Sequence, residues 1–390
     1  MTNLTSDTAT RRQLALDLWK TGVSSASGSN AVTQVIKANK LTSPTGIVAI
    51  GKAAAAMTLG AMTIARQGTK ALVVTKYGHA ESALTANSAV EIIESAHPIP
   101  DQNSLRAGKR VLEFVQGLTS DDRLLLLISG GASSLVEVLT PGITLDDLRE
   151  LNQDMISQDR TIEEINAARR ELSMIKSGGL LSHFKGAHVD VVFISDVAKD
   201  DPNVIGSGIG HIAAKGSRAF TMNSYVAANN ASARAAVAGE VTRRGEACVE
   251  NSETLSGEIS DLSKTLADAL RVGAEGVYIW GGEPVVNLPE NPGNGGRNQA
   301  LALLLARELQ GVDGITVVVG GTDGTDGPTN AAGGIIDGST YKQSLGHDDA
   351  ITRANAGDAL ADSDALLVTG PTGTNVMDLI VAVKASPASQ

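Results

Sequence analysis

The stretch Arg123-Leu124-Leu125-Leu126-Leu127-Ile128-Ser129-Gly130-Gly131-Ala132-Ser133-Ser134 decides the fold. A short, unbroken apolar run followed at once by glycines and small hydroxyls reads as a strand covered on both faces, then a tight turn into a helix. The scheme recurs outward from it. GIVAIG (46–51) leads into an alanine-rich helical stretch, and ALVVTKYG (71–78) and AVEIIES (89–95) precede a helix expected at 104–117. VDVVFISDV (189–197), GVYIWGGEP (276–284), GITVVVGGTDG (314–324) and DALLVTGPTG (364–373) repeat it. Strands alternating with helices predict an α/β protein with mostly parallel or mixed sheets covered by helices. Two helices without a strand are expected at 144–157 and 161–175. The stretch 222–271 reads as helical with one weak strand at 246–250, and a boundary near it divides the chain into domains 1–240 and 241–390.

Length and charge narrow the function. A chain of 390 residues suggests two domains and can bury a large core without staples. One cysteine, Cys248, cannot form an internal disulfide, which fits a reducing cytoplasm. Lys and Arg number 32 against 43 Asp and Glu, a net charge of −11, and aromatics make up only 3%. That balance excludes a general nucleic-acid binder, which would show a basic stripe and stacking platforms. The amino-terminal segment lacks the apolar core of a signal peptide, and runs such as LLLLI (124–128) fall far short of the ~20 residues a membrane helix requires. A soluble, cytoplasmic protein is expected, with a homodimer left open.

In open α/β sheets ligands bind beyond the carboxyl ends of the strands. Lys52 follows IVAIG, Ser129–Ser134 follows RLLLLI, and Ser195-Asp196 ends VVFI. Gly282-Glu283 follows VYIW, Thr322-Asp323-Gly324 follows TVVVGG, and Thr369–Asn375 follows DALLV. A loop that merely turned the chain would not need glycine, hydroxyls, carboxylates and a lysine together. The Ser129–Ser134 turn suits an anion, because glycines let amides point inward and the helix start adds positive charge; a plain turn with serine caps explains it equally well. Gly46–Lys52 satisfies G-x-x-x-x-G-K, but its four middle residues are the strand itself and Ala53 follows, so it is not a phosphate-wrapping loop.

Arg297 and Asn298 stand where a strong helix opens after Gly293-Asn294-Gly295-Gly296. A cation there is unfavourable by roughly 0.3–1 kcal/mol unless an anion lies between. Asn166, Arg169, Arg170, Ser173 and Lys176 recur at helical spacing, and spacing alone favours a solvated face. Asp323 and Asp326 share a glycine-rich loop without the spacing of a calcium loop; Mg²⁺ held with a phosphate or a series of Asx turns both fit. The histidines show no metal spacing, and His97, in the AHPIPD loop, reads as structural.

Taken in order, IVAIGKAAAAM, ESAHPIPDQNS, LISGGASSL, EINAARRELSMIKSGGLL, ISDVAKDDPNVIGSG, GNGGRNQALAL, GGTDGTDGPTNAAGGIID and VTGPTGTNVMDLIV resemble the glycerate 2-kinases related to the MOFRL proteins, over about residues 11–384. The resemblance implies two α/β domains with the active site between them, and transfer of a phosphoryl group from ATP, with Mg²⁺, to the 2-hydroxyl of D-glycerate. It implies that Lys52 and Arg297 act at the transferred group and that Ser129, Gly130, Gly131 and Ser133 cradle phosphate or carboxylate. Asn166, Arg169, Lys176, Asn298, Thr372 and Asn375 become binding candidates, and Asp196, Glu283, Asp323 and Asp378 candidates for Mg²⁺ or for the hydroxyl proton. Lys199 and Ala300 depart from the family pattern, so a closely related 2-hydroxy acid is an alternative substrate. Two rivals stand beside the kinase. An NAD(P)H-dependent hydroxypyruvate reductase would need a G-x-G-x-x-G turn, which Gly206–Gly210 does not complete; a catalytically silent binding protein of the same fold is the other.

Overall fold

A computed structural model describes residues 7–150, 171–212 and 220–385. The chain forms two compact units, one of residues 26–229 with 373–375, the other of residues 1–25, 230–372 and 376–390. The boundary expected at 240 falls inside the helix Asn230–Arg243, which stays whole in the second unit.

In the 26–229 unit, strands β1 (Gly46–Ile50), β2 (Lys70–Lys76), β3 (Val90–Ser95), β4 (Arg123–Ile128), β5 (His188–Ile194) and β6 (Thr221–Ala228) form one sheet in the order β3-β2-β1-β4-β5-β6. Every neighbouring pair is parallel. β1 and β5 are buried along their whole length, and alternate residues such as Val48, Ile50, Leu124, Leu126, Val189 and Val191 join one core against the flanking helices. The helix Gln102–Gln116 on that core starts where it does because of a capping box: Asp101 Oδ1 accepts from the Ser104 amide at 2.9 Å, and the Asp101 amide donates to Ser104 Oγ at 3.1 Å. This strand order reverses direction between β1 and β4, and the crevice at their carboxyl ends is where such sheets take ligands.

β6 corrects the helical reading of residues 222–228. It is an edge strand, largely exposed, with no apolar run to announce it. Of the helices expected at 144–157 and 161–175, residues 145–150 are helical and 151–170 lie outside the described residues; residues 172–175 are not helical, because Ser173 bridges to Leu139 in antiparallel pairing instead.

The second unit holds β7 (Cys248–Leu255), β8 (Gly276–Gly282), β9 (Ile315–Gly321), β10 (Gly333–Asp337), β11 (Leu366–Leu367) and β12 (Asp378–Lys384), ordered β11-β10-β9-β12-β8-β7. This sheet is mixed. β12 runs antiparallel to both β8 and β9, and β7 parallel to β8. β10 and β12 were not expected, and DALLV supplies only a two-residue edge strand; the central position belongs to the apolar run near the chain's end. Alternate residues cover opposite faces, as a period of two requires. Val277, Ile279, Val318 and Val381 meet Leu18, Trp19 and Val23 of the helix Thr8–Ser25, whereas Trp280, Val317, Val319 and Ile380 meet the helix Arg297–Glu308. Trp19 is 1% exposed and its indole donates to the Leu379 carbonyl at 3.0 Å, which fixes that first helix to this unit. Among the described residues no helix is long and apolar enough to cross a membrane.

Candidate active site

At the carboxyl end of β1 the chain turns through Gly51 (φ 130°) into Lys52. The turn is laced to the end of β4: the Lys52 amide donates to the Gly130 carbonyl at 2.9 Å, and the Ser129 amide donates to the Ile50 carbonyl at 2.9 Å. Ser129 is fully buried and its Oγ accepts from the Ala53 amide at 3.1 Å, so this serine ties two strand ends together. A Cβ on Gly51 would lie 2.1 Å from that oxygen, which is why glycine stands there.

Gly130 and Gly131 make a bare patch. A Cβ on Gly130 would fall 2.0 Å from Asp196 Oδ2 and 2.1 Å from Asn375 Nδ2, themselves hydrogen-bonded at 3.0 Å. Gly131, left-handed at φ 84°, faces the Lys52 stem and the His97 ring, whose Nε2 is 3.3 Å from where its Cβ would be. Lys52, Ser129, Gly130, Gly131, Asp196 and Asn375 therefore meet at the switch point of the parallel sheet. His97, read as structural from sequence, stands beside them; its position at the end of β3 was the available signal. Ser133 is turned to Ser207, Oγ to Oγ at 2.7 Å. Lys176 is buried in an ion pair with Glu137. Asn166 and Arg169 lie outside the described residues.

The second unit gathers charge instead. Arg297, the first residue of its helix, donates through Nη1 to Glu283 Oε1 at 3.0 Å and through Nη2 to Asp378 Oδ1 at 3.2 Å, with Nε 2.8 Å from Asp378 Oδ2. Burial opposes the guanidinium's charge, but the carboxylates of Asp378 and Glu283 outweigh it and raise its pKa. Asp378 opens β12 in register with Gly282 and Gly321 and also accepts from Asn298 Nδ2 at 2.9 Å. Complete burial pushes its carboxyl up to about 6, against the pull of Arg297. Arg297 is the better charged of the two because it has two acidic partners.

Gly296 has no side chain to cap the helix, so the cap comes from elsewhere: Asp326 accepts from the amides of Asn298 at 3.1 Å and Gln299 at 2.8 Å. The anion needed to offset a cation at this helix start is thus a carboxylate of the chain itself. Burial raises the Asp326 pKa despite those bonds. Its partner in the glycine-rich loop, Asp323, instead accepts from the Thr325 amide at 3.0 Å. Thr372 donates to the Thr322 carbonyl. Among the described residues no three His, Cys, Asp or Glu side chains form a metal cage.

Two family models cover this chain: the domain of unknown function DUF4147 matches residues 14–235, and the MOFRL family matches residues 276–378. The chain is similar to the D-glycerate 2-kinase of Thermotoga maritima, at 34% identity over 97% of this chain and 99% of that protein. It is also similar, at 34% identity over a smaller share, 85% of each chain, to an Agrobacterium vitis protein that carries the name putative hydroxypyruvate reductase. The crystal structure of a glycerate kinase from T. maritima superposes with a TM-score of 0.83 at 31% identity, covering 96% of this chain and 100% of that one.

Proposed function

This chain belongs to the glycerate 2-kinase family of DUF4147 and MOFRL regions, and from that premise we propose that it transfers the γ-phosphoryl group of ATP to the 2-hydroxyl of D-glycerate or a closely related 2-hydroxy acid. The observation that carries the reading is the switch point of the parallel sheet, where Lys52, two bare glycines and Asp196 meet at the ends of β1, β4 and β5. Phosphoryl transfer asks a protein for little covalent chemistry; it asks for cations around the moving group and an oriented hydroxyl. Lys52 and Arg297 are the proposed cations. The amides of the Gly130–Gly131 turn are the proposed cradle for phosphate or the acid's carboxylate, with Asn298, Thr372 and Asn375 orienting their neighbours. Asp196, held by Asn375, is the proposed acceptor of the hydroxyl proton.

Mg²⁺ bound largely by nucleotide phosphates and water needs only one or two protein carboxylates, so these strand ends fit it without a cage. Asp323, in the glycine-rich loop just past the carboxyl end of β9, is the first candidate for that carboxylate. When bound, the ion neutralises phosphate charge.

A dinucleotide site in this strand order uses the first βα turn for its G-x-G-x-x-G. That turn here reads Gly51-Lys52-Ala53-Ala54-Ala55-Ala56, which weighs against a reductase despite the name some relatives carry. The test is phosphorus and carbon NMR of the product formed from ATP, Mg²⁺ and D-glycerate. Phosphate on the C2 oxygen is expected. Oxidation of NAD(P)H by hydroxypyruvate, with no phosphorylated product, would overturn the reading.

A further inference from the structure

Glu137, 0% exposed, and Lys176, whose side chain is 2% exposed, form an ion pair in the 26–229 unit. Oε1 of Glu137 also accepts from Ser173 Oγ and, at 3.0 Å, from the Val138 amide. A short antiparallel ladder joins the same two segments: the Met174 amide donates to the Val138 carbonyl at 2.8 Å and the Thr140 amide to the Leu172 carbonyl at 3.0 Å. A buried pair of this kind adds little net stability, because desolvation of two ions cancels most of their attraction. Its use has to be sought in geometry. An ammonium so enclosed is also badly placed to meet a phosphate.

Immediately beyond Lys176 the backbone leads to the active-site turn. Ser177 and Gly178 both take left-handed backbone, φ 53° and 88°, and their amides donate to the carbonyls of Ser207 and Gly208, each at 2.9 Å. Ser207 is itself left-handed at φ 57° and 6% exposed, and its hydroxyl meets that of Ser133 at 2.7 Å. Left-handed backbone costs a non-glycine residue about 1–2 kcal/mol, so Ser177 and Ser207 keep it only where their surroundings impose it. Ser133 lies two residues beyond Gly131. We propose that Glu137 and Lys176 are a positioning pair: they hold the Ser177–Gly178 backbone, which holds Ser207, which holds Ser133 and the glycine cradle before it. Lys176 thereby acts through the cradle and touches no ligand. The kinetic arm of this inference rests on the kinase reading; the exchange arm does not.

Lys176→Met leaves Glu137 buried and uncompensated, and that variant can fail to fold. Lys176→Met, Glu137→Gln and the double variant are therefore compared with the parent protein. The double variant removes both charges and keeps an oxygen for Ser173 and Val138. Amide hydrogen exchange at 130–134 and kcat and KM for D-glycerate are read well below the unfolding temperature. Lys176→Met is expected to speed exchange at 130–134 about tenfold or more and to raise KM about tenfold, with the double variant no worse than that single one, because paired residues are not additive. If Lys176→Met does not fold, the double variant alone decides: exchange at 130–134 about tenfold faster than in the parent is then expected, and exchange within about threefold of the parent overturns the proposal. Unchanged exchange at 130–134 in a folded Lys176→Met overturns the proposal. So does a double variant whose KM defect equals the product of the two single defects, the mark of a lysine that binds ligand itself. A parent protein that turns over no 2-hydroxy acid sinks the kinase reading and leaves the exchange result standing.

Discussion

At the ends of β1 and β4 the chain offers backbone amides, bare glycines and small hydroxyls around one lysine, whereas in the second unit Arg297, Glu283, Asp378 and Asp326 converge on the start of one helix. The first arrangement is tuned by space: a single Cβ at Gly130 would collide with Asp196 and Asn375. The second is tuned by charge, with a guanidinium held against two carboxylates and a third carboxylate capping the helix. The kinase proposal gives each an anion-binding role, and they should fail differently when altered.

The sharpest break of that contrast is removal of a cation. Lys52→Ala or Arg297→Ala should cost about 10²–10³ in kcat, the loss usual for one charge-stabilising donor, measured on protein that circular dichroism shows to be folded. Gly130→Ala tests the space-limited side. Overpacking of about 1–3 kcal/mol is expected there, read as reduced kcat/KM, whereas Gly239→Ala, with open space around its Cβ, should be silent. On the charge-limited side, Asp326→Ala removes the cap and should lower stability in urea by about 1–2 kcal/mol.

Asp378 gives that comparison a pH axis. Its folded pKa, about 6, exceeds the ordinary 3.8, so the folded state binds the proton more tightly. Its contribution is full below 3.8 and is lost as pH rises through about 6. The stability of the parent relative to Asp378→Asn should therefore fall between pH 4 and 7, by on the order of 1–3 kcal/mol. His347, in the same unit, has the opposite sign: burial lowers its pKa below 6.5, so its contribution is present above 6.5 and lost as pH falls. Smallest of the expected effects is Lys199→Gly. Lys199 is left-handed at φ 66°, and glycine there should gain up to about 1 kcal/mol in thermal unfolding.

Much of this was legible before the structure. The buried parallel strands announce themselves as apolar runs, and glycines with Lys52 or Asp196 at their ends mark the switch point. β6 was not legible, because an exposed edge strand has no apolar face to pattern it. β12 was hidden because its run follows Thr372–Asn375 so closely that the loop and the preceding DALLV look like the strand unit. Lys176 shared a helical spacing with Arg169 and Asn166, and spacing cannot tell a solvated ammonium from one paired across the fold to Glu137. Asp326 had a readable signal: a helix opening after Gly296 lacks its own cap and must borrow one.

As proposed, this chain is a kinase whose rate depends on both Lys52 and Arg297. Initial rates of ADP release and of NAD(P)H consumption, measured with ATP, Mg²⁺ and a panel of 2-hydroxy acids for the parent, Lys52→Ala and Arg297→Ala, test it most directly. The predicted result is ADP release that requires the acid, is largest with D-glycerate or a near relative, and nearly vanishes in both folded variants. ADP release that survives in either variant, or NAD(P)H consumption without ADP, would contradict it.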